Sequence, residues 1–272
     1  MSSPSATLTL WAGSWLAGGS APDDVIDALH AWAPMHLVGA SDAATALAAD
    51  LVWPGVQDGG APILLRLLRH AAEAPGTELR LVLPAAGDVR GLPAATGFAR
   101  AALDAGEGVL VGAPGDGGIG LVPVVEGPDV LRWTVFPIAT VPATGGEYAG
   151  LGEAEYAMRE AIRDAADALL QISSVHTGRP GTDPRRRIAE AIDDRAHHRY
   201  PETLPARALR ILDSADQVAA ILAVAEEDSP TEAPSASSAA AREALLRPLW
   251  TAVRTARVAA VTACVGSGRS RV

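Results

Sequence analysis

Asp88 and Arg90 stand one residue apart in the Gly/Pro-rich stretch Leu83–Pro93 (LPAAGDVRGLP). A carboxylate and a guanidinium held in fixed relation by such a loop can orient a small polar ligand. Ser41 and Asp42 follow a short apolar run, Met35–Val38, and Ser14 follows Thr7–Trp11. If those runs are strands of an open α/β sheet, Ser14, Ser41, Asp42, Asp88 and Arg90 all fall at strand ends, where ligands collect in such sheets. The competing reading is local: Ser41 and Asp42 cap a helix, and Asp88 and Arg90 make a turn pair.

Other constellations carry weaker chemistry. Asp193, Asp194, His197 and His198 form two Asp/His pairs at i,i+4, with Glu190 one turn earlier. That spacing can share a metal, but no second helix offers a matching pair, so no metal is expected and a solvated helix face is preferred. Gly115–Gly120 (GDGGIG) satisfies the G-x-G-x-x-G spacing of a dinucleotide fingerprint. The fingerprint needs a helix after the glycines, whereas a Val/Pro run with Pro123 follows, so a β-hairpin turn is expected. Arg179 and Arg185–Arg187 make a basic cluster that can receive a phosphate or a carboxylate, and a contact with the chain's own acidic half ranks first.

Nucleophilic catalysis has little footing. There is no G-x-S-x-G elbow, His30, His36, His70 and His176 are isolated, and Cys264 lies among Ala and Val where an inert buried thiol is expected. All 22 basic residues are arginine, which excludes a Schiff-base or P-loop lysine. No cofactor is implied.

The 272 residues are 49% hydrophobic but only 4% aromatic, so an Ala/Val/Leu/Ile core is expected. Residues 1–150 hold 15 acids against 6 arginines, and residues 151–272 hold 17 against 16. The first half is therefore strongly acidic, which argues against nucleic acid and anionic lipid as partners. A single cysteine forbids an intramolecular disulfide and suits a reducing cytoplasm. No apolar run approaches the length of a membrane span, and the N-terminus lacks the positive region of a secretory signal.

The chain changes character near Gly150. Before it, short β-like runs (7–11, 35–38, 78–83, 108–111, 120–125, 130–136) alternate with helices at about 22–32, 41–51, 63–72 and 98–105. After it, the period is 3.6, with helices at about 151–172, 185–199, 205–227 and 239–264. The expected fold is α+β, a mixed and partly parallel sheet with flanking helices (1–145). A bundle-like helical domain (150–272) follows, with a mobile linker at about 229–238. The sheet is expected to begin parallel and to end in an antiparallel edge meander.

The functional expectation is a non-catalytic binding or assembly protein of the cytoplasm that self-associates, its partner being another protein or its own copies. The alternative is an enzyme or small-molecule sensor that holds a small polar ligand at the strand-end crevice. Trp11 and Trp15, flanking Gly13 and Ser14, could wall an aromatic pocket there. The basic, amphipathic last helix is expected to pack in the bundle.

Overall fold

The computed structural model describes residues 3–143, 150–171, 184–227 and 236–269. The elements run α1 (Pro4–Leu16), α2 (Pro22–His30), β1 (Met35–Ala40), α3 (Ala43–Ala49), α4 (Gly60–Ala72), β2 (Glu78–Val82), α5 (Gly97–Ala105), β3 (Gly108–Gly112), β4 (Gly118–Gly127) and β5 (Val130–Ile138). Then come α6 (Leu151–Gln171), α7 (Pro184–Ala196), α8 (Ala206–Glu227) and α9 (Ala236–Arg269). The fold is thus a five-stranded mixed sheet with flanking helices followed by a helical region.

The chain forms two compact units. One comprises residues 2–147, 198–205 and 261–272; the other comprises 148–197 and 206–260, with residue 1. Residues 198–205, in the connection between α7 and α8, therefore belong with the sheet, although helices of the other unit flank them in sequence.

In the sheet unit the strand order is β1-β5-β4-β3-β2. β3, β4 and β5 form an antiparallel meander in the middle, β2 lies antiparallel at one edge, and β1 lies parallel to β5 at the other. The expected parallel start is thus corrected: one edge pair is parallel, and the meander is central. A helix between strands does not alone set their direction. The long 83–96 connection and α5 together return the chain to the sheet end at which β2 stopped.

β5 alternates cleanly. Leu131, Trp133 and Val135 are buried on one face, while Arg132, Thr134 and Phe136 are half-buried on the other. The first face packs with Leu79, Val109, Val111 and Leu121 against Leu8, Ala12, Leu29, Leu64 and Leu68 of α1, α2 and α4. The second packs Val82, Leu110, Val122 and Ile138 against Phe98 and Ala102 of α5.

The expected strand at Thr7–Trp11 is a helix. Ser3 caps α1 by accepting from the Ala6 amide, and Pro4 fits its first turn, where a missing N–H costs nothing. The polar/apolar alternation of TLTLW mimics a strand because α1 is buried on nearly all sides and needs no apolar stripe. Two of its buried hydroxyls are partnered: Thr9 donates to the Ser5 carbonyl (2.7 Å), and Thr7 accepts from Trp32 Nε1 of the neighbouring chain segment (3.0 Å). The Ser5 amide donates to Glu107 (2.8 Å), so a carboxylate sits at the positive end of the helix. Burial nevertheless pushes the Glu107 carboxyl up, against the pull of the Ser5 and Ser3 contacts.

In the helical unit Ala154 and Met158 of α6 are buried, whereas Ile162 on the same stripe is 41% exposed. α8 and α9 meet through the Arg257–Asp216 ion pair and the Trp250 indole donating to Glu226. α9 continues through Pro248. The expected linker at 229–238 lies outside the described residues as far as 235, and Ala236 opens α9.

Candidate functional site

The five residues expected at strand ends do not converge. Asp42 follows β1, and Asp88 follows β2. Those strands occupy opposite edges of the sheet and run in opposite directions. Their carboxyl ends lie at diagonal corners, about 19 Å apart across the sheet alone at ~4.8 Å per strand.

Each group has a local task. Asp42 caps α3, accepting from the Thr45 amide and hydroxyl (both 2.8 Å) and from the Ser41 hydroxyl (2.9 Å). These donors, the Thr45 amide foremost, hold its carboxyl below the usual carboxylate range. Arg90 makes a two-pronged contact with Asp88, Nε to Oδ1 and Nη2 to Oδ2, each 2.8 Å. The backbone folds back beneath this pair, with Ala85 and Asp88 exchanging amide–carbonyl bonds.

Ser14 sits on α1 and not after a strand. Its Oγ lies 2.7 Å from Ser20 Oγ and 2.9 Å from Thr203 Oγ1. Arg69 stacks over Trp15 at 4.7 Å, the Trp11 indole donates to the Arg199 carbonyl (2.9 Å), and Trp32 stacks on His198 at 3.7 Å and 10°. These contacts fasten residues 198–205 to α1 and α2.

The histidine–aspartate helix face separates. His197 Nδ1 lies 3.0 Å from the Asp193 carbonyl, and His198 faces Trp32. Among the described residues no group of three His, Cys, Asp or Glu side chains could hold a metal ion. Arg186 pairs with Glu190 on its own helix at 3.3 Å. Arg179 and His176 lie outside the described residues.

Gly115–Gly120 is the β3–β4 connection and the start of β4, as expected of a hairpin. Gly115 holds φ +89°, which favours glycine. A Cβ on Gly120 would overlap the Phe98 ring, so the glycine makes room for it.

His36, isolated in sequence, has two partners in the core. Trp133 Nε1 donates to its Nδ1 (3.1 Å), and its Nε2 lies 3.0 Å from the Leu29 carbonyl. An indole N–H can only donate, so Nδ1 is the acceptor, and Nε2 carries the proton toward Leu29. Burial lowers the His36 pKa, so the ring is a neutral strut between β1, β5 and α2. Burial also pushes the Cys264 thiol up to about 12, as befits an inert core residue.

The feature not read from the sequence is an apolar surface along the β1 edge. Leu47 of α3 is 86% exposed, and Val52, Trp53, Val56 and Met35 are each exposed as well. Residues 55–57 run along β1. Val38 and Gln57 exchange backbone bonds (3.1 and 2.8 Å), and Gly39 leaves room for the Gly55 carbonyl. The middle of the β1 edge is therefore occupied, and a partner arriving there meets side chains and not an open ladder. The Leu51-Val52-Trp53-Pro54 run inside a Gly-rich loop is the signal that marks it.

These features define a two-part protein, a mixed-sheet α+β unit with exposed apolar side chains near β1, joined to a helical unit. The chain belongs to the Rv1486c-like protein family. Its N-terminal domain model matches residues 5–148, and its C-terminal domain model matches residues 152–258. The chain is 42% identical over 289 residues to the uncharacterized protein Rv1486c of Mycobacterium tuberculosis (strain ATCC 25618 / H37Rv), covering 97% of this chain and 98% of the relative. It is 38% identical over 294 residues to the uncharacterized protein ML1804 of Mycobacterium leprae (strain TN), with the same coverage. Both alignments are longer than the 272-residue chain, so these relatives carry insertions relative to it. No solved structure matches the chain. No described helix is long and apolar enough to cross a membrane.

Proposed function

We propose that this chain is a cytoplasmic binding or assembly protein that self-associates through the apolar β1 edge. The observation that carries this reading is the exposure of Val52, Trp53 and Val56 in the segment that runs on to Gln57 beside β1, with Leu47 of α3 and Met35 of β1 exposed as well. Scattered exposed apolar residues are ordinary, but several within one short stretch, Val52 to Val56, with a tryptophan among them resemble the aromatic anchors of association surfaces. A twofold contact sets such a patch against its own copy, and homodimer interfaces are the more apolar kind. The polar groups at the strand ends support binding over small-ligand chemistry, because Asp42 caps its helix and Asp88 and Arg90 engage each other.

Sedimentation velocity across a range of protein concentrations tests this. The native chain should show a dimer or larger species, and Leu47→Ser/Trp53→Ser should shift it to monomer with an unchanged circular dichroism spectrum. A native chain that stays monomeric at high micromolar concentration, or a variant that keeps the native size, removes the proposal.

A further inference from the structure

We infer that the association surface continues from the β1 edge onto the part of the sheet that α5 leaves bare, with a second copy of this chain as its occupant; this rests on the self-association proposed above. The two faces of the sheet are covered unequally. α1, α2 and α4 pack on one. The core on the other has only the nine-residue α5 as its helix, and within the sheet it takes in Val82, Leu110, Val122 and Ile138. Val38 and Trp133 point to the first face, so their neighbours Leu37 and Arg132 point to the second. Register sets Leu37 beside Arg132 and Arg132 beside Val124, one row across three strands, with Met35 beside Val130 in the next row. None of these five is buried: Met35 is 43% and Val124 42% exposed, and Leu37, Arg132 and Val130 are half-buried. Val56 joins this face to the β1 edge. A Cβ on Gly39, two residues beyond Leu37 on the same face of β1, would meet Val56 Cγ1 at 3.1 Å, so the exposed Val56 side chain lies over the row next to Leu37.

Size and charge select the occupant. A stable interface takes about 20–30 residues a side, more than the exposed residues of the β1 edge supply, so the contact must extend over neighbouring surface. Residues 1–150 hold 15 acids against 6 arginines, so two copies repel one another over most of that surface. On β1, β4 and β5 the formal charges are one acid, Glu126, and one arginine, Arg132, and these pair at 3.0 Å. Asp129 lies beyond them in the β4–β5 turn. The bare face is therefore neutral, and two copies can meet on it without setting net negative charge against net negative charge. A single ion pair is also self-complementary, since a twofold axis can turn each Glu126 toward the Arg132 of the other copy.

Val124 and Val125 separate the two faces. They are adjacent in β4, so they point to opposite sides, and Val125 is the more exposed at 70%. Sedimentation equilibrium of the full-length chain and its variants reads the dimer dissociation constant. Val124→Glu should raise it at least about tenfold, because a charge is then pressed into an apolar contact. Val125→Glu should leave it within about twofold, as a surface change away from the contact does. Arg132 stands opposite Val124, so the new carboxylate has a cross-strand partner and the fold is kept, which an unchanged circular dichroism spectrum checks. Val124→Ser adds no charge, should weaken association about threefold through lost apolar area, and decides the matter should the Glu variant misfold. Equal effects of the two Glu variants, or a larger effect of Val125→Glu, overturn the inference. If Leu47→Ser/Trp53→Ser yields monomers while both Val124 variants associate as the native chain does, the contact stops at the β1 edge; this inference then falls and the edge reading stands. A native chain that is monomeric at high micromolar concentration removes both.

Discussion

Replacing His36 by leucine should cost the sheet unit about 1–3 kcal/mol, the penalty for one stranded buried polar group. Leucine accepts no bond, so the Trp133 indole N–H would be left unpaired in a fully buried position. The Leu29 carbonyl adds little, because it also accepts from the Trp32 amide at 2.9 Å. Removing the donor too, as His36→Leu/Trp133→Phe, should cost less than the sum of the single changes by ~1 kcal/mol, since neither partner is then stranded. Urea unfolding followed by tryptophan fluorescence is suited to this, because Trp11, Trp15, Trp32, Trp53 and Trp133 all lie in the sheet unit. The pH dependence supplies a second check. Burial holds the folded pKa of His36 below its ordinary 6.5, so on acidification the unfolded chain takes up a proton before the folded one does. Stability from this residue is full above 6.5 and is lost as pH falls from there toward the folded value. His36→Leu should lack that component. If its loss is under about 0.5 kcal/mol, within the range of ordinary surface changes, or if its acid sensitivity matches that of the native chain, the neutral-strut reasoning fails.

Two further outcomes follow from particular contacts. Gly120→Ala should destabilise the sheet unit by about 1–3 kcal/mol by overpacking, because the new methyl would meet the buried Phe98 ring; Phe98→Leu in the same chain should recover part of that loss in thermal unfolding. Asp216→Ala leaves the guanidinium of the nearly fully buried Arg257 without its carboxylate, so the helical unit should lose about 3–5 kcal/mol in chemical unfolding, whereas Asp216→Leu/Arg257→Met should lose far less.

The sequence reveals those parts of the fold whose signals are local. The Gly115–Gly120 turn, the β4–β5 hairpin and the 3.6 period beyond Gly150 each depend on neighbours a few residues away. α1 escaped because its burial on nearly all sides removes the stripe by which helices are recognised, although Ser3-Pro4 is a proper start signal. Strand order is also silent locally: nothing in Met35–Ala40 says that its partner is Val130–Ile138. The same holds for the polar groups. His36 looks isolated because Trp133 is 97 positions away, and Ser14 meets Thr203 across 189. The reading of Asp42 as a cap and of Asp88 with Arg90 as a turn pair needed only local spacing, and their geometry matches it. The exposed β1-edge residues were hidden because a Leu-Val-Trp run looks the same whether a neighbour covers it or not.

The pairing of Met35 with Val130 also sets an order of events on the ribosome. β1 is made early but cannot join the sheet until β5 has left the exit tunnel, 95 residues later. At ~5–20 residues per second this is a wait of about 5–19 s, during which β1 and the Leu51–Trp53 run have no strand to lie against. The β3–β4–β5 meander closes over short distances and can form as soon as it emerges, whereas the long loop closure for β1 comes last. The edge that keeps exposed apolar side chains in the finished protein is thus also the edge that waits longest for its strand during synthesis.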